Sequence, residues 1–234
     1  MTASLFLIFV ALMATAVVAG VARYVNRRVA LGVMAGLLTW LVYVGAVAYL
    51  GLARNTAMRP PGIAFIVGPV LLFLLVFVVR WSADDRVALA VPLWLVLGAQ
   101  SFRIGVELFL HQLWIAGLAP RMLTFDGANV DVYIGATAPL VAWLSTRGPT
   151  GLRLSLVWNA AGLLSLANVV GRAVLTAPGP LNLIHAEVPN LLFGTFPYVY
   201  IPGFFVPLAV VLHGLGLRAA RRRSRPAAGT VAPV

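Results

Sequence analysis

Seven apolar runs divide this chain, separated by short polar breaks rich in arginine. They lie at about 5–21, 29–52, 63–79, 87–113, 132–144, 154–175 and 197–217. A helix needs about 20 mostly apolar residues to cross the hydrocarbon of a bilayer. It also satisfies its own backbone hydrogen bonds there. The pattern predicts an all-α fold, a polytopic membrane helix bundle of seven transmembrane helices. That domain covers residues 1–217, and an Arg-rich tail over 218–234 is expected to be disordered. The run at 132–144 is the shortest of the seven. No repeat at solenoid spacing and no inverted transporter-type repeat is evident.

The breaks have recognisable chemistry. Arg23, Arg27 and Arg28 make the first, Arg54, Asn55 and Pro60–Pro61 the second, and Arg80, Asp84, Asp85 and Arg86 a four-charge turn. Arg147, Gly148, Pro149 and Gly151 make a tight later connection. With 62% apolar and 10% charged residues, the chain is far from the make-up of a soluble domain, which excludes a cytosolic enzyme. It has no Cys, so a disulfide scaffold is excluded as well. The net charge of +11 would ordinarily suggest nucleic acid. Arginine at membrane boundaries accounts for it instead, and no nucleic-acid partner is expected.

Arginine also sets the orientation. With the C-terminal tail inside, the inner loops and tail hold Arg23, Arg27, Arg28, Arg80, Arg86, Arg147, Arg153, Arg218, Arg221, Arg222, Arg223 and Arg225. The outer side holds Arg54, Arg59, Arg121 and Arg172, and Arg103 lies within a span. This asymmetry predicts N-out, C-in, in the inner (cytoplasmic) membrane. The first run has no positively charged segment ahead of it, so it reads as a retained span and not a signal peptide. The lipid bilayer is the expected partner, with anionic lipids at the Arg-rich tail. The oligomeric state is left open.

Charged groups inside a span cost about 2.5–3.5 kcal/mol each, which makes them functional candidates. In the fourth run Arg103, Glu107 and His111 fall at about 0, 40 and 80° around the helix, with Gln100 near 60°. They form one polar stripe about 16 Å long. Alternatively, Arg103 and Glu107 neutralise each other at i, i+4 while Gln100 and His111 bond neighbouring helices. In the sixth run Ser165, Asn168 and Arg172 share a face, although Arg172 alone would suit an interfacial snorkelling residue. These seven residues are the candidates for ligand binding or proton relay. The outer loops add Asp126, Asn129, Asp131, His185 and Glu187. Their plainer reading is that Asp126 begins a turn, Asp131 caps the fifth helix, and His185 and Glu187 are solvated. Tyr198 and Tyr200 read as an interfacial aromatic belt.

The stretch Phe102-Arg103-Ile-Gly-Val-Glu107 is followed by Gly117, Pro120, Met122, Thr124-Phe125-Asp126-Gly127, Asn129, Asp131 and Gly135. This F-R-x3-E and M-x-T-F-D-G-x-N-x-D pattern resembles a signature of uncharacterised bacterial multi-pass membrane proteins. The spacing of Pro197, Pro202, Pro207 and His213 is similar to theirs too. The resemblance covers about the second half of the chain. It implies a small seven-helix bundle and brings no activity with it.

The function classes then narrow. Retinal needs a Schiff-base Lys, and the chain has none. Haem needs two His at one depth. His213 near the inner end and His111 near the outer end do not meet that need, so haem is not expected. Glu107, His111, His185 and Glu187 are ligand types for a divalent metal, which would make the protein a metal-dependent membrane hydrolase of a lipid or small polar substrate. A binding or transport role asks for less. A polar pocket in the outer half, with Arg103 and Arg172 for an anionic group and Glu107 for a proton or cation, fits a carrier of a small polar or anionic ligand. Pro92, Pro139, Pro202 and Pro207 hint at discontinuous helices. A structural or assembly subunit of a membrane complex is the third class.

Overall fold

The computed structural model describes residues 2–81, 86–179 and 181–224, and among them there are helices and loops but no strand. The chain opens with a helical hairpin of α1 (Thr2–Tyr24) and α2 (Arg27–Tyr49). Asn26 makes the turn, its side-chain oxygen accepting from Val29 N–H at 2.8 Å to cap α2. After α3 (Ala64–Trp81) come α4 (Arg86–Ala90), α5 (Leu93–Ala99), α6 (Phe102–Ile115), α7 (Asp131–Leu144), α8 (Pro149–Thr176) and α9 (Val206–Ser224). Gly148 sits between α7 and α8 at φ 92°, where a side chain would be strained, and Pro149 then starts α8 at the position a helix tolerates best.

The outside of this molecule is apolar. Leu12 on α1, Val42 on α2, Leu72 on α3 and Leu164 on α8 are each more than 60% exposed, and many other large apolar side chains accompany them. In water each such Leu would forgo about 1.5–3 kcal/mol of burial. Against lipid it forgoes nothing, so the protein is an integral membrane protein. Five helices are long and apolar enough to cross: Ala3–Tyr24, Arg27–Tyr49, Leu93–Ile115, Pro149–Thr176 and Ile201–Ser224. The third and fifth expected spans correspond to shorter apolar helices, Ala64–Val78 and Asp131–Leu144. At 1.5 Å per residue, α7 reaches only about 21 Å.

Two expected spans differ in detail. The fourth, 87–113, is divided into α4, α5 and α6. Pro92 supplies no N–H and ends the first piece, while Gln100 N–H donates to Leu97 carbonyl and Arg103 N–H to Gln100 carbonyl, a tightened turn that separates α5 from α6. The last span begins with a π-turn, Ile201–Phe205, and α9 runs on to Ser224, so residues 218–224 are helical. Pro207 has no N–H to give the carbonyl of Gly203, and the indole of Trp40 donates to that carbonyl at 2.7 Å instead. Pro139, by contrast, lies inside a continuous α7. Asp84, Asp85 and the tail from 225 to 234 lie outside the described residues.

An aromatic core ties the hairpin to the rest. Phe6 meets Phe109 edge-on at 5.1 Å, and Phe205 stacks between Phe9 at 5.0 Å and Phe102 at 5.6 Å. Tyr198 and Tyr200 belong to this core and do not form a belt: both are buried, and the Tyr200 hydroxyl donates to Leu41 carbonyl. Gly45 makes room for that hydroxyl, which a Cβ there would meet at 2.5 Å.

Candidate functional site

The centre of the bundle is polar. Gln100, Arg103 and Glu107 on one segment, Asn129 and Asp131 at the start of α7, Asn159 and Ser165 on α8, and His213 on α9 are all buried. Buried charge persists only where it is paired and hydrogen-bonded, and here the pairs are explicit. Arg103 grips Asp131 with two nitrogens, Nε to Oδ2 at 3.1 Å and Nη2 to Oδ1. The hydroxyl of Ser165 donates to the same Oδ1. Nη1 of Arg103 lies 2.8 Å from His213 Nε2, and His213 Nδ1 lies 2.9 Å from Asn159 Oδ1. A guanidinium can only donate. Nε2 of His213 therefore accepts and Nδ1 carries the hydrogen that reaches Asn159, whose own amide nitrogen donates to Ser155 carbonyl.

Glu107 takes a different partner. Its Oε1 accepts from the Asn129 amide, which also donates to Leu123 carbonyl at 3.0 Å. Its Oε2 has no hydrogen-bond partner among the described residues. Glu107 borders a cavity of about 40 Å³ shared with Arg103, Asp131, Phe193 and Phe205. That volume holds a water or two and no substrate. Among the described residues these polar groups pack against one another around this small cavity.

These contacts correct several expectations. Arg103 and Glu107 do not neutralise each other; the first pairs with Asp131 and the second with Asn129. The loop closing from α6 to α7 brings in groups that fit each better than its own helix neighbour does. Asp131 does not cap its helix with its side chain; it is the first helical residue, and its carboxylate is spent on Arg103 and Ser165. Asn129 takes over locally, its side-chain Oδ1 accepting from Asp131 N–H at 2.9 Å. Thus the two halves of the signature, F-R-x3-E and N-x-D, meet each other across the bundle.

The other candidates fasten the loop over this core. Asn168 donates to Ala128 carbonyl at 3.0 Å, and Arg172 Nε donates to Asn168 Oδ1 at 2.9 Å, so Arg172 belongs to the polar set. His111 lies with Nδ1 3.3 Å from Asp126 Oδ2 and stacks on Phe125 at 4.6 Å. Glu187 accepts from Arg121 N–H, while His185 is exposed. Of the candidate metal ligands, Glu107, His111 and Glu187 each contact a different partner and His185 is exposed. Among the described residues no group of three or more such side chains is placed to hold a metal ion. Gln100 donates to Ala209 carbonyl at 3.2 Å, a helix–helix contact apart from the charged pairs.

Two residues of the core escape a stripe-by-stripe reading. His213 is fully buried beside Arg103 and not near a helix end, because α9 extends well beyond it. Asn159 lies about 120° around α8 from Ser165 and opposite Asn168, so the face shared by Ser165, Asn168 and Arg172 does not include it. Gly162 is what lets the ring in: a Cβ there would lie 2.2 Å from His213 Cε1.

With the geometry established, comparison with known proteins gives a family and little chemistry. No solved structure matches the chain. A chloramphenicol resistance protein of Streptomyces lividans is 33% identical over 153 residues, covering 61% of this chain and 37% of that relative. The chain thus spans little more than a third of the relative's length. The family described as a domain of unknown function, DUF8737, matches residues 60–221, which contain every residue of the polar core, and the chain belongs to that family.

Proposed function

We propose that this protein binds a small polar or anionic ligand and moves it across the bacterial inner membrane, crossing the bilayer seven times with its N-terminus outside. The observation that carries this reading is the buried Arg103–Asp131 pair with Glu107 beside it. Such a set is costly in a membrane and is not needed to hold helices together, since interhelical hydrogen bonds there contribute only about 0.6 kcal/mol each. It offers exchangeable partners: an anionic or polar group entering between α6 and α9 replaces Asp131 on Arg103, and Glu107 Oε2, which has no partner among the described residues, accepts from a donor elsewhere on the same ligand. The relative named as a chloramphenicol resistance protein supports small-molecule traffic and makes chloramphenicol the first compound to test.

Cells expressing the protein are expected to accumulate less labelled chloramphenicol than cells with an empty vector. Glu107→Gln, which keeps shape and removes the acid, should abolish the difference at equal membrane levels of protein. Equal accumulation in all three strains would sink the reading for this compound. Orientation has its own check. A reporter fused after Val234 should report the cytoplasm, and one inserted in the 176–190 loop should report the outer side. The reverse pattern would overturn the N-out placement.

A further inference from the structure

A second cavity lies away from the polar core, at the Arg-rich end of the bundle. It is about 210 Å³, with Phe77 of α3, Leu163 of α8, and Val210 and Leu217 of α9 as walls, and Arg218 and Arg221 at its rim. α3 runs parallel to α9, since a Cβ at Gly203 would meet Ile66 and one at Gly214 would meet Phe77. Gly214 lets the Phe77 ring approach α9 closely at that level, where a Cβ would stand 3.2 Å from it, and the cavity is bordered by that ring. Arg218 Nη2 donates to Val78 carbonyl at 3.3 Å, which holds its guanidinium over the end of α3. Arg221, one turn on, is exposed on the same side of α9.

We propose that this groove is a binding site for an anionic phospholipid. An acyl chain lies against Phe77, Leu163 and Val210, and the phosphate rests on Arg218 and Arg221. An apolar cleft that ends in two guanidinium groups at one membrane boundary has the polarity profile of such a lipid along its length. Basic pockets between transmembrane helices hold anionic headgroups for this reason. A zwitterionic lipid fits the walls but brings a positive group to the rim. Inorganic phosphate fits the rim and leaves the walls empty. The occupant argued here is the whole lipid, independent of the transport reading above.

The test is retention of phosphatidylglycerol against phosphatidylcholine by the full-length protein in mild detergent, read by mass spectrometry of the intact complex. Wild-type protein should retain phosphatidylglycerol preferentially, and inorganic phosphate should not displace it. Arg218→Gln and Arg221→Gln should each lower retention about five-fold, equivalent to the roughly 1 kcal/mol that an arginine contributes beside anionic lipid. Arg223→Gln removes the same charge from another face of α9 and should leave retention unchanged. Leu163→Trp, or Val210→Phe if the first fails to fold, fills the cleft with every charge in place and should also lose the lipid. Equal retention of the two lipids, or full retention in the filled variants, would overturn the site in favour of general attraction to the basic helix end.

Discussion

Asp131→Ala is expected to cost about 3–5 kcal/mol of folded-state stability, because it leaves the Arg103 guanidinium buried without its counter-charge. Asp131 is 5% exposed and Arg103 2% exposed, so water cannot make up the loss. Ser165 would also lose the acceptor for its hydroxyl. Arg103→Met/Asp131→Leu removes the whole pair and should be more stable than either single substitution, since a buried ion pair replaced by packed apolar groups is often neutral in stability. It will not recover fully: His213 Nε2 loses its donor, which costs about 1–3 kcal/mol. Unfolding of the purified proteins in one detergent would show the ordering. A double variant no better than Asp131→Ala would mean that the pair is required to assemble the bundle. A double variant that folds well and no longer lowers chloramphenicol accumulation would place the pair's value in transport.

Much of this arrangement was legible in the sequence, and its limits have physical causes. Apolar length pointed to the five long apolar helices and the two shorter ones, because a lipid-facing helix must be apolar whatever it packs against. Helical periodicity put Gln100, Arg103 and Glu107 on one stripe and Ser165, Asn168 and Arg172 on another, and all six are polar contacts inside the bundle. What periodicity does not supply is which stripe residue meets which loop residue. Arg103 finds Asp131 twenty-eight positions away and Glu107 finds Asn129, both delivered by a loop whose path depends on Thr124, Asp126 and Ala128 being pinned at once. The partners of His213 were hidden for another reason. The Pro197, Pro202, Pro207 and His213 spacing marks the residue without saying what it meets, and the facing Gly162 and Asn159, on a different helix, supply that. Tyr198 and Tyr200 show the converse error. Aromatic residues at a span boundary usually face the lipid interface, but here Tyr198 packs on Phe6 of α1 and Tyr200 reaches the Leu41 carbonyl of α2.

Gly162→Ala and His213→Ala are expected to be strongly non-additive, and their coupling tests the ring placement on which Arg103 depends. A methyl at 162 would sit 2.2 Å from His213 Cε1 and 2.4 Å from Nε2, well inside van der Waals contact. The ring must move by an ångström or more, which breaks its bond to Arg103 at 2.8 Å or to Asn159 at 2.9 Å. Overpacking of this kind costs about 1–3 kcal/mol. His213→Ala alone removes a fully buried ring, opens a void, and leaves Arg103 Nη1 and Asn159 Oδ1 without partners, for about 3 kcal/mol or more. In the double variant the obstacle to the new methyl on α8 is gone, and that methyl fills part of the void. The combined loss should therefore fall short of the sum by about 0.5–3 kcal/mol, the range found for residues in contact. A conservative control separates steric from polar effects. Gly171 on the same helix has open space around its missing Cβ, and Gly171→Ala should be neutral or slightly stabilising. Additive losses at 162 and 213 would mean that the ring does not lie over Gly162, and Arg103 would then lack the acceptor that turns it away from Glu107 and toward Asp131.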